Sequence, residues 1–180
     1  MVKLYKIHII GSVASGKTTL ARTLSSKLEI PYYELDNVAW KRDKSGDTRR
    51  TEQERENDLH TIVNLKSWVI EGVHYEAWTN ECFQKADIII FLDTPYTVRT
   101  LRIITRFVKQ KAGVEKANYK PTLSIFFKMF KWNAHFEKKS KPLIMEKLRS
   151  HEDKLYVITS GIKGVDGKDR NIFNHFNTSP

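Results

Sequence analysis

Cysteine is almost missing from this chain: Cys82 is the single one among 180 residues. An intrachain disulfide framework and a cysteine-rich zinc site are therefore excluded. No uncharged apolar run approaches the roughly 18 residues that a membrane-spanning helix needs, and the start of the chain enters an apolar segment after one lysine, without a signal-peptide pattern. The expectation is a cytoplasmic protein with no membrane partner. Repeats and low-complexity linkers are also lacking. With 40% apolar residues, 1–180 reads as one globular domain able to bury a core. Acidic residues are scarce in one place only. Residues 97–150 hold 14 Lys and Arg against Glu115, Glu137 and Glu146, a net of +11, whereas the remainder, with 17 basic and 18 acidic residues, stands at −1. Such a segment suits an anionic partner, either a phosphorylated substrate under a lid or a nucleic acid backbone.

Only 8 glycines are present, and two of them bracket Gly11-Ser12-Val13-Ala14-Ser15-Gly16-Lys17-Thr18, which fits G-x-x-x-x-G-K-[ST]. An apolar run, Ile7 to Ile10, precedes it, and a helix-like run from Thr19 to Leu28 follows. A loop that wraps a polyphosphate must turn its backbone N–H groups onto the anion, and glycine permits that approach at Gly11 and Gly16. The helix beginning near Lys17 offers unpaired N–H groups and its positive end to the phosphates. Lys17 reaches the β/γ oxygens and the Thr18 hydroxyl ligates Mg²⁺. Residues Gly11 to Thr18, with Thr19 next to them, form the expected nucleotide-binding set.

Taken in order, the chain alternates strands and helices. Leu4 to Ile10 is apolar apart from Lys6 and His8, as befits a central strand of a parallel sheet. A short second strand, Tyr32 to Leu35, delivers Asp36 to its carboxyl end, where ligands of open parallel sheets bind. Asp36 can orient or deprotonate an acceptor hydroxyl there, hold a metal-bound water, or cap the next turn. The polar stretch 41–57 reads as an exposed loop entering a helix at Thr51, with Thr51-Glu52-Gln53-Glu54 as a capping box and Leu59, Ile62, Val63 and Leu65 toward the core. The insert 41–66 is expected to cover an acceptor. Ser67 to Glu71 is a third strand, and Glu71 at its end can hold the water shell of Mg²⁺. His74, Tyr75 and Trp78 fall in an expected helix. Asp87 to Leu92 is a fourth strand, after which Thr94-Pro95 reads as a cap followed by a proline at the first helical position. On the helix Tyr96 to Lys111, Arg99, Arg102 and Arg106 share one face, with Leu101, Ile104 and Val108 on the other. Phosphate contacts are expected for Arg102 and Arg106. Lys111 to Pro121 reads as a lid hinge and 99–150 as a basic, lid-like segment. Leu155 to Ile158 is a fifth strand, beyond which Thr159-Ser160-Gly161 is positioned to grip an adenine.

These pieces resemble the adenylate-kinase-like division of P-loop proteins and, more narrowly, the bacterial DNA topology modulation proteins. The resemblance rests on the phosphate loop, Ile30-Pro31 through Leu35-Asp36 to Trp40, Trp68-Val69-Ile70-Glu71-Gly72 with Tyr75, Ile90-Phe91-Leu92-Asp93-Thr94-Pro95, and Arg102 to Arg106. It implies a three-layer α/β/α P-loop NTPase fold whose five parallel strands lie in the order 2-3-1-4-5, with ATP in the loop. It also implies that Arg102 and Arg106 match the lid-entrance arginines of nucleotide kinases, one near the adenine and one on phosphate. One departure stands out: these families usually carry Asp at the position of Glu71.

The functional expectation is a Mg²⁺-ATP phosphotransferase that passes the γ-phosphoryl group in line to a small acceptor, a nucleoside, nucleotide or other hydroxyl-bearing metabolite. Lys17, Mg²⁺ and Arg106 would neutralise charge on the moving group while Asp36 orients the acceptor. The rival is an ATP-binding, nucleic-acid-associated regulator that uses the basic 97–150 segment. A GTPase is disfavoured, since N-K-x-D does not occur and the one D-x-x-G match, Asp43 to Gly46, lies in the polar stretch 41–57 rather than at the end of an apolar strand.

Overall fold

The computed structural model describes residues 5–41, 43, 46–114 and 122–159. Within them the chain forms two compact units: residues up to 11, 17–92 and 151–157 make one, and 12–16, 93–150 and 158–159 the other.

The first unit is built on apolar strands. β1 (Lys6–Gly11), β5 (Trp68–Gly72) and β6 (Ile88–Leu92) are buried almost end to end. Strands covered on both faces belong inside parallel sheets, and β1 pairs in parallel with β5 and with β6. β2 (Tyr32–Glu34) pairs in parallel with β5, and β7 (Leu155–Ile158) follows β6 at the other edge. The sheet order β2-β5-β1-β6-β7 is second, third, first, fourth, fifth when its five strands are counted along the chain. This is the α/β sheet with flanking helices that the sequence predicts. α1 (Lys17–Leu28) packs Leu20, Ala21 and Leu24 inward and touches β1, β2 and β5.

The polar stretch after β2 holds more order than expected. The second strand ends at Glu34, and Leu35–Ala39 forms a short helix, α2, which carries Asp36 in its first turn. Instead of an open loop, β3 (Trp40–Lys41) and β4 (Thr48–Arg49) then pair antiparallel. α3 (Glu52–Val63) begins with the expected capping box: Thr51 Oγ1 accepts from the Glu54 N–H at 3.3 Å, and Glu54 Oε2 accepts from the Thr51 N–H at 2.8 Å. Leu59 and Val63 are buried, but Leu65 lies beyond the helix and is exposed. His74 and Tyr75 are also outside any helix, because a single tight turn at Ala77–Thr79 precedes α4 (Asn80–Lys85).

Gly72 fixes how α2 approaches β5. A β-carbon there would meet Leu35 Cβ and Cδ1, each at 2.8 Å, inside a core that cannot yield. Gly72→Ala is expected to cost about 1–3 kcal/mol, read as a lower urea midpoint at unchanged slope.

The second unit contains α5 (Tyr96–Lys111), α6 (Leu123–His135), a π-helical turn Phe136–Ser140, and α7 (Lys141–Arg149). α5 and α6 run antiparallel: the Phe107 and Phe126 rings lie 4.4 Å apart, and Asn133 Nδ2 donates to Thr100 Oγ1 at 3.1 Å. The two faces of α5 are inverted relative to an ordinary amphipathic helix. Arg99 is buried with Ile103, whereas Leu101, Ile104 and Val108 are exposed.

Candidate functional site

The glycine-rich loop joins β1 to α1. Its turn is made by Gly16, at φ +104°, and by Ala14, at φ +59°. Gly11 keeps a negative φ and ends β1 in register with Leu92, so the conformational freedom expected of it is not used. The unusual position is Ala14, a left-handed residue without a glycine. The loop's first helical turn contains Lys17, Thr18 and Thr19 and no acid. A cation at a helix N-terminus opposes the dipole unless an anion joins it, and the open N–H groups there are anion donors.

Within the first unit, Lys17, Thr18 and Glu71 come together. The Thr18 hydroxyl donates to Glu71 Oε1 at 2.6 Å, and Lys17 Nζ lies 4.0 Å from Glu71 Oε2. Glu71 is buried and sits opposite Ile9 of β1, so the sheet register places its carboxylate beside the start of α1. The extra methylene of Glu over the Asp usual in similar families reaches the Thr18 hydroxyl directly. Glu34 is its register partner on β2. Burial, then the Glu71 charge, push the Glu34 carboxyl above its ordinary range, with Arg22 opposing from 3.6 Å. Glu34 was not among the expected site residues, although an acid in a three-residue strand two positions before Asp36 was a usable signal.

Asp36 stands in a different cluster of the same unit. His74 Nε2 lies 3.1 Å from Asp36 Oδ1, and His74 Nδ1 lies 3.4 Å from Glu76 Oε2. The imidazole is tilted against Trp78 at 5.3 Å, and the Arg55 guanidinium lies 5.3 Å from the Trp78 ring. Burial works against a charged His74, but hydrogen bonds to Asp36 and then Glu76 outweigh it and raise its pKa to about 9. The His74 contact in turn lowers Glu76 to about 2 against its own burial. At neutral pH the cluster is thus a charged imidazolium between two carboxylates.

The sign of its contribution follows. His74 binds its proton more tightly folded than unfolded, so its stabilisation is complete below its ordinary value of 6.5 and is lost as pH rises through about 9. Glu76 contributes above its ordinary 4.5 and loses that as pH falls through about 2. With the exposed carboxylates discounted for screening, the His74 share is on the order of 1–2 kcal/mol. His74→Gln should lower the urea midpoint near pH 6 and have little effect near pH 10. An equal loss at both values would contradict the charged pairing.

In the second unit, Arg102 Nη1 donates to the backbone oxygens of Ser15 at 2.9 Å and Ala14 at 3.3 Å. Its charge is tied to the loop that it was expected to serve by contacting phosphate. Thr94 does not cap α5: Pro95 occupies the cap position without a side-chain bond, and the Thr94 hydroxyl donates to Ser15 O at 3.1 Å. Buried Thr94 and half-buried Arg102 therefore converge on one loop carbonyl. Arg106 is half-buried one turn further along α5. Asp93 pairs with Lys141 at 2.6 Å, and Lys141 lies 3.6 Å from Glu137, which pairs with Arg99. Arg99, expected to share a helix face with Arg102 and Arg106, is committed to this ionic chain and to the rings of Phe136 and Tyr96. Of the adenine-gripping residues expected, Thr159 is exposed, and Ser160 and Gly161 lie outside the described residues, as does the part of the lid hinge from 115 to 121.

Among the described residues no group of three His, Cys, Asp or Glu forms a metal cluster, and no helix is long and apolar enough to cross a membrane. No protein-family model and no curated protein matches the chain, so the resemblance to the topology modulation proteins gains no sequence-level support. Solved structures do match. A shikimate kinase from Acinetobacter baumannii in complex with shikimate has a TM-score of 0.57 at 16% identity over 98% of this chain and 94% of that one. An uncharacterized protein from Eubacterium ventriosum reaches 0.54 at 18% over 96% and 98%. A shikimate kinase from Bacteroides thetaiotaomicron gives 0.51 at 12% over 97% and 99%. At these identities the likeness is one of fold: this chain shares the α/β architecture of these neighbours.

Proposed function

We propose that the protein is a Mg²⁺-ATP phosphotransferase acting on a small hydroxyl-bearing acceptor. The observation that carries this reading is the constellation of Lys17, Thr18 and Glu71 at the start of α1. Its oxygen donors, a hydroxyl and a carboxylate held 2.6 Å apart, are of the hard type that suits Mg²⁺. Bound Mg²⁺-ATP would supply the phosphoryl group and part of the charge neutralisation that its transfer needs. Thr18 and Glu71 would hold the metal, Glu71 through the ion's water shell, and the loop from Gly11 to Thr19 would hold the phosphates.

The chain's own residues account for the rest. Lys17 would serve as the cation for the β/γ oxygens, and Arg106 would add a second cation for the transferred group. Arg102 and Thr94 brace the loop carbonyls, so that the Ala14 and Gly16 turn presents its N–H groups to the phosphates. Asp36, held as a carboxylate beside protonated His74, orients the acceptor hydroxyl and accepts its hydrogen bond. The neighbour solved with shikimate supports an acceptor that is small and polyhydroxylated. The reading as a nucleic-acid-associated regulator draws no support from these neighbours.

The test is ADP release with Mg²⁺-ATP across a panel of nucleosides, nucleotides and cyclic or linear polyols. Acceptor-dependent release is the expected result. ATP binding without stimulation by any acceptor would remove the kinase reading.

A further inference from the structure

We infer that the outer side of the α5/α6 hairpin is a docking surface for an anionic membrane interface. On α5, Leu101, Ile104 and Val108 recur at three and four residues, which places them within about 60° of one another on the helix. They are 64%, 41% and 59% exposed. On α6, Leu123 and Phe127 are one turn apart and 62% and 60% exposed. Both stripes lie on the same side of the hairpin. In α5 the stripe is rotated about 80–90° from the line of contact through Thr100 and Phe107, and in α6 it is rotated by a similar angle, in the same sense, from Phe126 and Asn133. Because the helices are antiparallel, equal rotations bring the stripes together. Five large apolar side chains on one side of two helices form a patch that ordinary monomeric surfaces avoid.

The charge around the patch selects its partner. α5 and α6 carry Arg99, Arg102, Arg106, Lys109, Lys111, Lys128 and Lys131 and no Asp or Glu. Lys109, Lys111, Lys128 and Lys131 are exposed, with Lys111 one turn beyond Val108 and Lys131 one turn beyond Phe127. Two copies docked through this face would bring together two surfaces bearing only positive charge. A nucleic acid would meet these cations, but four of the five patch residues, Leu101, Ile104, Val108 and Leu123, are aliphatic, and Phe127 alone offers a ring for a base to stack on. A bilayer with anionic headgroups satisfies both halves: the apolar chains enter the acyl boundary while the lysines hold the headgroups. This revises the expectation of no membrane partner, for a surface contact rather than a span, and it stands independently of the kinase reading.

The experiment is co-sedimentation of the full chain with vesicles of phosphatidylcholine alone and of phosphatidylcholine carrying about one quarter phosphatidylglycerol. Partitioning onto the anionic vesicles should be at least about tenfold stronger and should fall when salt is raised from about 0.1 to 0.5 M. Val108→Asp with Phe127→Asp, both exposed positions, should remove binding with the circular dichroism spectrum unchanged. Lys111→Gln with Lys131→Gln, which leaves the stripe intact, should weaken binding to the anionic vesicles alone. Equal partitioning onto both vesicles, or unchanged binding by the Asp variant, would overturn the inference. So would a concentration-dependent dimer that Val108→Asp dissolves, or duplex DNA binding with no vesicle binding.

Discussion

Lys17→Ala is expected to lower acceptor-dependent ADP release by at least about a hundredfold and nearer a thousandfold, since a preorganised cation facing developing charge in a water-poor site is worth several kcal/mol. The fold should persist. Lys17 lies 4.0 Å from Glu71, at the outer limit of an ion pair, and its position in the first turn of α1 tolerates alanine well. Glu71, left without the ammonium, keeps the Thr18 hydroxyl as a donor at 2.6 Å. The unfolding free energy should therefore fall by only about 1–3 kcal/mol, which leaves the protein folded, while turnover collapses. Glu71→Gln separates the lysine from the metal site. It keeps the bond with Thr18 possible but removes the negative charge, so it should raise the Mg²⁺ concentration needed for half-maximal rate more than it alters ATP affinity. Turnover by Lys17→Ala within about threefold of the parent would end the assignment of Lys17 as the cation on the β/γ oxygens.

How much of this was legible in the sequence depends on whether a feature is local. The apolar runs Ile7 to Ile10, Trp68 to Ile70 and Ile88 to Leu92 identify buried parallel strands by themselves, since few other structures bury every position in a row. The phosphate-loop motif and the capping box at Thr51 are likewise short-range, and each is found where its spacing puts it. Glu71 became a candidate from its place at a strand end, and the β1–β5 register brings it to Thr18.

What stayed hidden depends on partners far along the chain. Nothing near Asp36 announces His74, 38 residues later, and nothing near Thr94 announces Ser15. The cap assignment at Thr94 failed because a tertiary acceptor for its hydroxyl competes with the local one. The β3–β4 pairing has only two residues a side and no alternation to mark it. On α5, periodicity separates an arginine face from an apolar face but does not say which goes inward. Burying the charged one requires a counter-ion, and that ion, Glu137, sits beyond α6.

Glu137→Ala is accordingly expected to be the most destabilising of these substitutions, by about 3–5 kcal/mol. Arg99 is 1% exposed, and its Nε and Nη1 find no hydrogen-bond partner among the described residues, so Nη2 and Glu137 carry its charge compensation together with the rings of Phe136 and Tyr96 at 5.0 and 5.8 Å. Removing the carboxylate leaves a desolvated guanidinium that ring faces alone offset only in part. Lys141 also loses a contact, but it keeps Asp93 at 2.6 Å. The cost therefore resides in Arg99, and a double-mutant cycle locates it. Arg99→Met should itself cost less than Glu137→Ala, because it replaces a buried charge with an apolar chain of similar length. Once Arg99 is Met, Glu137→Ala should cost no more than about 1 kcal/mol, as expected of a half-exposed carboxylate with one remaining lysine neighbour. Urea unfolding of the four proteins measures each term. If Glu137→Ala were equally costly in both backgrounds, the penalty would belong to the π-helical turn itself, and the buried ion pair would not be what holds α5 against Phe136.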